Sequence, residues 1–162
     1  MWNRYTLRLQ QSLFTRQFSL TPKESEKDFL NLNLLENLSL SHNQINVFPT
    51  EIQFLHKLTH LSLDHNALEN LTFPKARRQA TTFKKPILKY VDLSNNRIFA
   101  IALEYEQLFQ SIEKLDLSNN QLITIPIVIT KLVKLLNLDM SRVSISFSHV
   151  SDILERSKSY SK

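Results

Sequence analysis

The spacing of apolar residues in Ile112–Leu122, IEKLDLSNNQL, constrains this chain more than any other feature. Ile112, Leu115, Leu117 and Leu122 are apolar and Asn120 stands between the last two, which gives the pattern L-x-x-L-x-L-x-x-N-x-L. The pattern recurs at Leu35–Ile45 (LENLSLSHNQI), Leu58–Leu68 (LTHLSLDHNAL) and Leu88–Ile98 (LKYVDLSNNRI). A further copy, Leu135–Ile145 (LLNLDMSRVSI), keeps the apolar positions but has Val143 where Asn belongs. The copies begin at Leu35, Leu58, Leu88, Ile112 and Leu135, in steps of 23, 30, 24 and 23 residues. Matches at such regular intervals specify an array in which each copy is one structural unit and stacked neighbours bury a shared core.

Each L-x-L triplet predicts a short strand with its leucines inward and the residue between them outward. Strands of successive copies then stack in parallel. The ninth-position column, Asn43, Asn66, Asn96 and Asn120, is read as structural: one amide carries two donors and an acceptor, enough to satisfy backbone groups in adjacent turns. Between strands, Val47-Phe48-Pro49 is followed by Ile52, Leu55 and Leu58, and Thr124-Ile125-Pro126 by Ile129, Leu132 and Leu135. This predicts a Pro-initiated helical turn packed back on the sheet. The third copy has Ala102 in place of Pro, and Glu104-Tyr105-Glu106-Gln107-Leu108 predicts a fuller helix.

These residues resemble the leucine-rich repeat family. Their endings, apolar-Pro-x-x-apolar-x-x-Leu, are similar to the intracellular repeats of Ras-signalling scaffolds. The resemblance covers residues 30–147. It implies an α/β solenoid, a short horseshoe of about five repeats with a parallel concave sheet and a helical or irregular convex side. It also implies a protein-interaction module, a scaffold or regulatory subunit, rather than an enzyme.

Composition narrows the alternatives. A chain of 162 residues suits one domain, and 42% hydrophobic content is enough to bury a core. The absence of Cys excludes a disulfide-capped repeat, a cysteine nucleophile and a thiolate metal site, and makes an intracellular, cytoplasmic protein the expectation. The absence of Gly excludes phosphate-cradling loops, dinucleotide fingerprints and the G-x-S-x-G elbow. No apolar run approaches the length of a membrane span. The net charge of +5 permits weak attraction to acidic partners but does not by itself specify nucleic acid.

The flanks and one insertion carry their own readings. Residues 1–19 contain Arg4, Arg8 and Arg16 and no acid, and Trp2, Tyr5, Leu9 and Leu13 share one side of a helical wheel. The segment resembles a mitochondrial transit peptide, with Arg16-Gln17-Phe18-Ser19 similar to a cleavage site, which would make the chain a mitochondrial assembly factor; the alternative is a disordered or capping segment. Residues 20–34 predict an N-terminal cap on the first repeat. The 30-residue step carries a basic insertion at 74–86, PKARRQATTFKKP, with Lys75, Arg77, Arg78, Lys84 and Lys85. It reads as a solvated loop, or alternatively as a patch for RNA or an anionic membrane. Residues 148–162 predict a capping helix through HVSDILERS, with Val150, Ile153 and Leu154 over the last repeat, and a tail.

Function is expected on the outward strand residues. The third pattern position holds Asn37, His60, Tyr90, Lys114 and Asn137, and the fifth Ser39, Ser62, Asp92, Asp116 and Asp139. The seventh holds Ser41, Asp64, Ser94, Ser118 and Ser141, and the eighth, read as lining the same face, His42, His65, Asn95, Asn119 and Arg142. The expected protein-binding set is His60, Tyr90, Asp92, Lys114, Asp116, Asp139 and Arg142, on a monomeric domain. His42, Asp64 and His65 have the side chains of a metal or acid–base set. An open sheet has no pocket to exclude water, so no catalytic residue, metal or cofactor is expected.

Overall fold

Strand formation follows the alternation in the sequence. The computed structural model describes residues 6–8, 34–49, 52–53, 55–72 and 86–146. Each of the five repeats contributes one strand, and Thr6–Arg8 a sixth, to a six-stranded parallel sheet among the described residues. In chain order the strands are Thr6–Arg8 (β1), Asn37–Ser39 (β2), His60–Ser62 (β3), Asn70–Leu71 (β4), Tyr90–Asp92 (β5), Ala100–Ile101 (β6), Lys114–Asp116 (β7) and Asn137–Asp139 (β8). The main sheet runs β1-β2-β3-β5-β7-β8, so sequence neighbours are spatial neighbours. Strand β4 pairs with β6 in a separate two-stranded ladder, Asn70 with Ala100 and Leu71 with Ile101.

The register is strict. Leu38, Leu61, Val91, Leu115 and Leu138 align at one level. A one-residue slip would turn every one of these side chains to solvent. The first four are at most 8% exposed, whereas Leu138 is 41% exposed at the end of the sheet, where no further strand among the described residues covers it. At the other end β1 pairs with β2, Leu7 with Leu38. The helical periodicity of residues 1–19 therefore does not describe Thr6–Arg8, which are extended. The edge of β2 presents backbone donors and acceptors that an added strand satisfies.

The convex side explains the period of three in the sequence. Ile52 N–H donates to Pro49 C=O at 3.2 Å, Leu55 to Ile52 at 3.0 Å and Leu58 to Leu55 at 2.9 Å. Ile129, Leu132 and Leu135 repeat the series from Pro126. Bonds of this i-to-i+3 type bring every third side chain to the same side, and Ile52, Leu55, Leu58, Ile129 and Leu132 are buried there. Without Pro, the third repeat forms a 3-10 turn, Leu103–Tyr105, that continues into the α-helical turn Glu106–Phe109. Tyr105 and Phe109 meet Phe48 of the first repeat, with ring centroids 5.1 and 6.4 Å apart.

The asparagine column joins the turns. Asn66, Asn96 and Asn120 each donate to carbonyls of their own repeat and to one of the repeat before: Leu40, Leu63 and Leu93 respectively. Their Oδ1 atoms accept from Ile45, Leu68 and Ile98 N–H. In the fifth repeat Val143 offers the Leu122 N–H no such acceptor. Val143→Asn is expected to restore the missing step and raise stability by about 1 kcal/mol. A urea unfolding midpoint that fails to rise would show that this site cannot seat the amide.

The basic insertion with Lys75, Arg77, Arg78, Lys84 and Lys85 lies outside the described residues, as do almost all of the N-terminal cap and the C-terminal helix and tail.

Candidate functional site: the concave face

Period two turns the third- and fifth-position side chains away from the core, and the parallel register lines them up across the sheet. His60, Tyr90, Lys114 and Asn137 align in one column; Ser62, Asp92, Asp116 and Asp139 align in the next. Strand spacing of about 4.8 Å sets the rung-to-rung distance in both columns. The rings of His60 and Tyr90 lie 5.9 Å apart and tilted by 31°. Thr59 Oγ1 sits 2.9 Å from His60 Nδ1 and donates to Glu36 C=O, which holds the imidazole in place.

The aspartate column has a local task that sequence reasoning missed. In three successive repeats the carboxylate Oδ1 accepts the N–H two residues on: Ser94 to Asp92 at 3.0 Å, Ser118 to Asp116 at 2.9 Å and Ser141 to Asp139 at 2.8 Å. These are Asx turns, and the recurrent Asp-x-Ser spacing is their signature. Hydrogen bonds from Ser141 hold the Asp139 carboxyl below the ordinary range. Burial pushes Asp92 upward, Ser94 pulls it back, and the Asp64 and Asp116 charges add to the rise. Burial and the carboxylates of Asp92, Asp116 and Asp64 likewise raise the Tyr90 phenol. Acidic groups are thus crowded on one face of a chain whose net charge is +5.

The eighth position corrects the sequence reading. The strands end at the fifth pattern position, so His42, His65, Asn95, Asn119 and Arg142 do not follow the strand alternation. All five have left-handed backbone, with φ of 56°, 53°, 55°, 53° and 56°. This conformation turns the chain so that the next residue, the asparagine, points inward. In a chain without Gly, His and Asn are among the residues that adopt it most readily. Arg142 therefore belongs to the turn that follows β8 and not to the strand that carries Asp139. The signal was present as a recurrent His/Asn column one place before the inward asparagine.

Along this turn column, His42 and His65 stack at 4.2 Å with planes 20° apart, and Asn119 Nδ2 donates to Asn95 Oδ1 at 2.6 Å. Asp64 sits beside the histidine pair. Its Oδ1 accepts from the Ser41 and Ser62 hydroxyls, and Oδ2 lies 2.9 Å from His65 Nδ1 and 4.0 Å from His42 Nε2. Burial raises this carboxyl, but the bonds from Ser41, Ser62 and His65 outweigh it and leave it below the ordinary range. The order of contacts is not that of a nucleophilic triad. The serines bond the carboxylate rather than the imidazole, so no imidazole is placed to take a hydroxyl proton.

Two family models, both described as leucine-rich repeat, match residues 86–145 and 34–55. The chain is 32% identical over 129 residues to a probable serine/threonine-protein kinase, pats1, of Dictyostelium discoideum, covering 80% of this chain and 4% of that protein. It is 32% identical over 117 residues to Tsukushi of Gallus gallus, covering 72% of this chain and 31% of that protein. A solved leucine-rich-repeat protein of Leptospira interrogans superposes with a TM-score of 0.57 at 35% identity, over 82% of this chain and 32% of the other. The chain thus spans at most about a third of these relatives. Folds of this type are typically non-enzymatic modules for protein–protein interaction. The repeat pattern, the parallel sheet, the inward asparagines and these matches together place the chain in the leucine-rich repeat family.

Proposed function

We propose that this chain is a non-enzymatic scaffold or regulatory module that binds a protein partner on its concave face, through a basic segment of that partner. The crowding of Asp64, Asp92 and Asp116 beside Tyr90 is the observation that carries this reading. Like charges facing one another across a sheet disfavour the fold. A Lys or Arg from a partner laid over the column relieves that repulsion, while Tyr90 and His60 supply the aromatic contact area that interfaces use. Lys114, in register with Tyr90 and Asn137, places one positive charge in the column beside the aspartates.

Tyr90→Ala combined with Asp116→Asn tests it. Asparagine keeps the Oδ1 that accepts the Ser118 N–H, so the turn survives while the charge is lost. The double variant is expected to weaken partner capture, read by affinity purification and mass spectrometry, by about tenfold or more with an unchanged melting temperature. Undiminished capture would place the binding surface elsewhere. Capture that survives the variant but falls steeply with salt would point to the basic segment at 74–86.

A further inference from the structure

We propose that His42, Asp64 and His65 form a binding site for a divalent transition cation of the zinc class. The two histidines occupy the same position of successive repeats, and both have left-handed backbone. Their rings therefore leave adjacent turns stacked face to face, with centroids 4.2 Å apart and planes at 20°, and a shared ion requires the His42 ring to turn out of this stack. Asp64 reaches the edge of both, and one ligand atom from each of the three residues lies within 4.8 Å of the others. Ligand atoms about 2.1 Å from one ion sit about 3.0–3.4 Å apart in octahedral or tetrahedral geometry. His65 Nδ1 and Asp64 Oδ2, at 2.9 Å, are already near that separation. His42 Nε2, at 4.0 Å, closes the remainder by rotation of a ring that is half exposed.

The carboxylate is prepared for this task. Ser41 and Ser62 both donate to Oδ1, which fixes the group and aims Oδ2 at the imidazoles. Such bonds to the far oxygen of a ligating carboxylate are the usual supports of a metal ligand. Two imidazole nitrogens with one carboxylate oxygen suit Zn²⁺, Co²⁺ or Ni²⁺, whereas Ca²⁺ and Mg²⁺ prefer all-oxygen sets. Water completes the coordination on the solvent side. His65 binds as the tautomer that carries its proton on Nε2, so the ion takes the place of the hydrogen between Nδ1 and Asp64. The same turn column holds Asn95 and Asn119 in the next repeats, bonded directly to one another. The site is therefore confined to the first two repeats.

The full chain, stripped with chelator, is titrated with ZnCl₂ by calorimetry, and the histidine ring resonances are followed by NMR. Saturable uptake of one equivalent is expected, with shifts in the His42 and His65 rings and none in His60. His42→Asn and His65→Asn are each expected to lower the affinity about tenfold or more. Asparagine already occupies this left-handed position at Asn95 and Asn119, so both variants keep the turn, and their metal-free melting temperatures check it. No saturable uptake by the unaltered chain overturns the proposal. So does affinity retained in both variants, or ring shifts confined to His60 or His149.

Discussion

Phe109→Ala is expected to destabilise the chain by about 3–5 kcal/mol, the range for deleting a buried aromatic ring. Phe109 is fully buried, 5.4 Å from Tyr105 and 6.4 Å from Phe48 between ring centroids. Its edge contact with Phe48 and its tilted contact with Tyr105 add to the area it buries. Phe48 belongs to the first repeat and Phe109 to the third, so this cluster ties non-adjacent turns across the convex side. The vacated space cannot easily collapse, because parallel ladders and the asparagine bonds hold the backbone on either side. Urea unfolding should show a lower midpoint with an unchanged slope. A loss below about 1 kcal/mol would mean that the cluster contributes far less than a packed core site. Against a total stability of about 5–15 kcal/mol, the expected loss is a large fraction.

Asn96→Leu is expected to cost about 3 kcal/mol, the upper end for orphaned buried polar groups, because more than one group is left without a partner. The leucine has a similar volume but removes the acceptor of the Leu68 N–H at 3.1 Å and the donor to Leu63 and Leu93 C=O at 3.0 Å each. Two of those three groups belong to the preceding repeat, so the substitution weakens an interface between repeats and not only a turn. In an array stabilised by nearest neighbours, such a loss also reduces cooperativity. Chemical denaturation followed separately by amide hydrogen exchange and circular dichroism would read both effects. An unchanged midpoint would mean that water satisfies those backbone groups, against their burial in the structure.

The apolar skeleton and the asparagine column were legible because each obeys a local rule that repeats. An inward leucine every second strand residue, an amide at the ninth position and a buried residue every third place after Pro are all periodicities of one chain. The alignment of His60 with Tyr90 and of Asp92 with Asp116 and Asp139 was legible for the same reason, since equal repeats stack in equal register. The eighth position is the exception: alternation from the outward third and fifth positions would turn it inward, and the turn after the strand sets its direction instead. Its left-handed backbone is a property of the turn, and a recurrent His/Asn column in a chain without Gly was the available sign. The Asx turns of the aspartates had a sign too, the Asp-x-Ser spacing, which reading the acids only as an exposed face passes over.

Sequence alone determined which residues are inward, which are outward and in what order the repeats stack, because those follow from backbone period and burial. Only the tertiary structure decided distances between repeats of unequal content. It placed Phe48 against Tyr105 and Phe109, paired Asn70–Leu71 with Ala100–Ile101, and set strand β1 on the open edge of the first repeat. It also brought His42 and His65 to 4.2 Å beside a carboxylate held by two serines. No periodicity encodes such meetings. They depend on the direction in which a left-handed turn aims a side chain and on which neighbour the next repeat happens to supply.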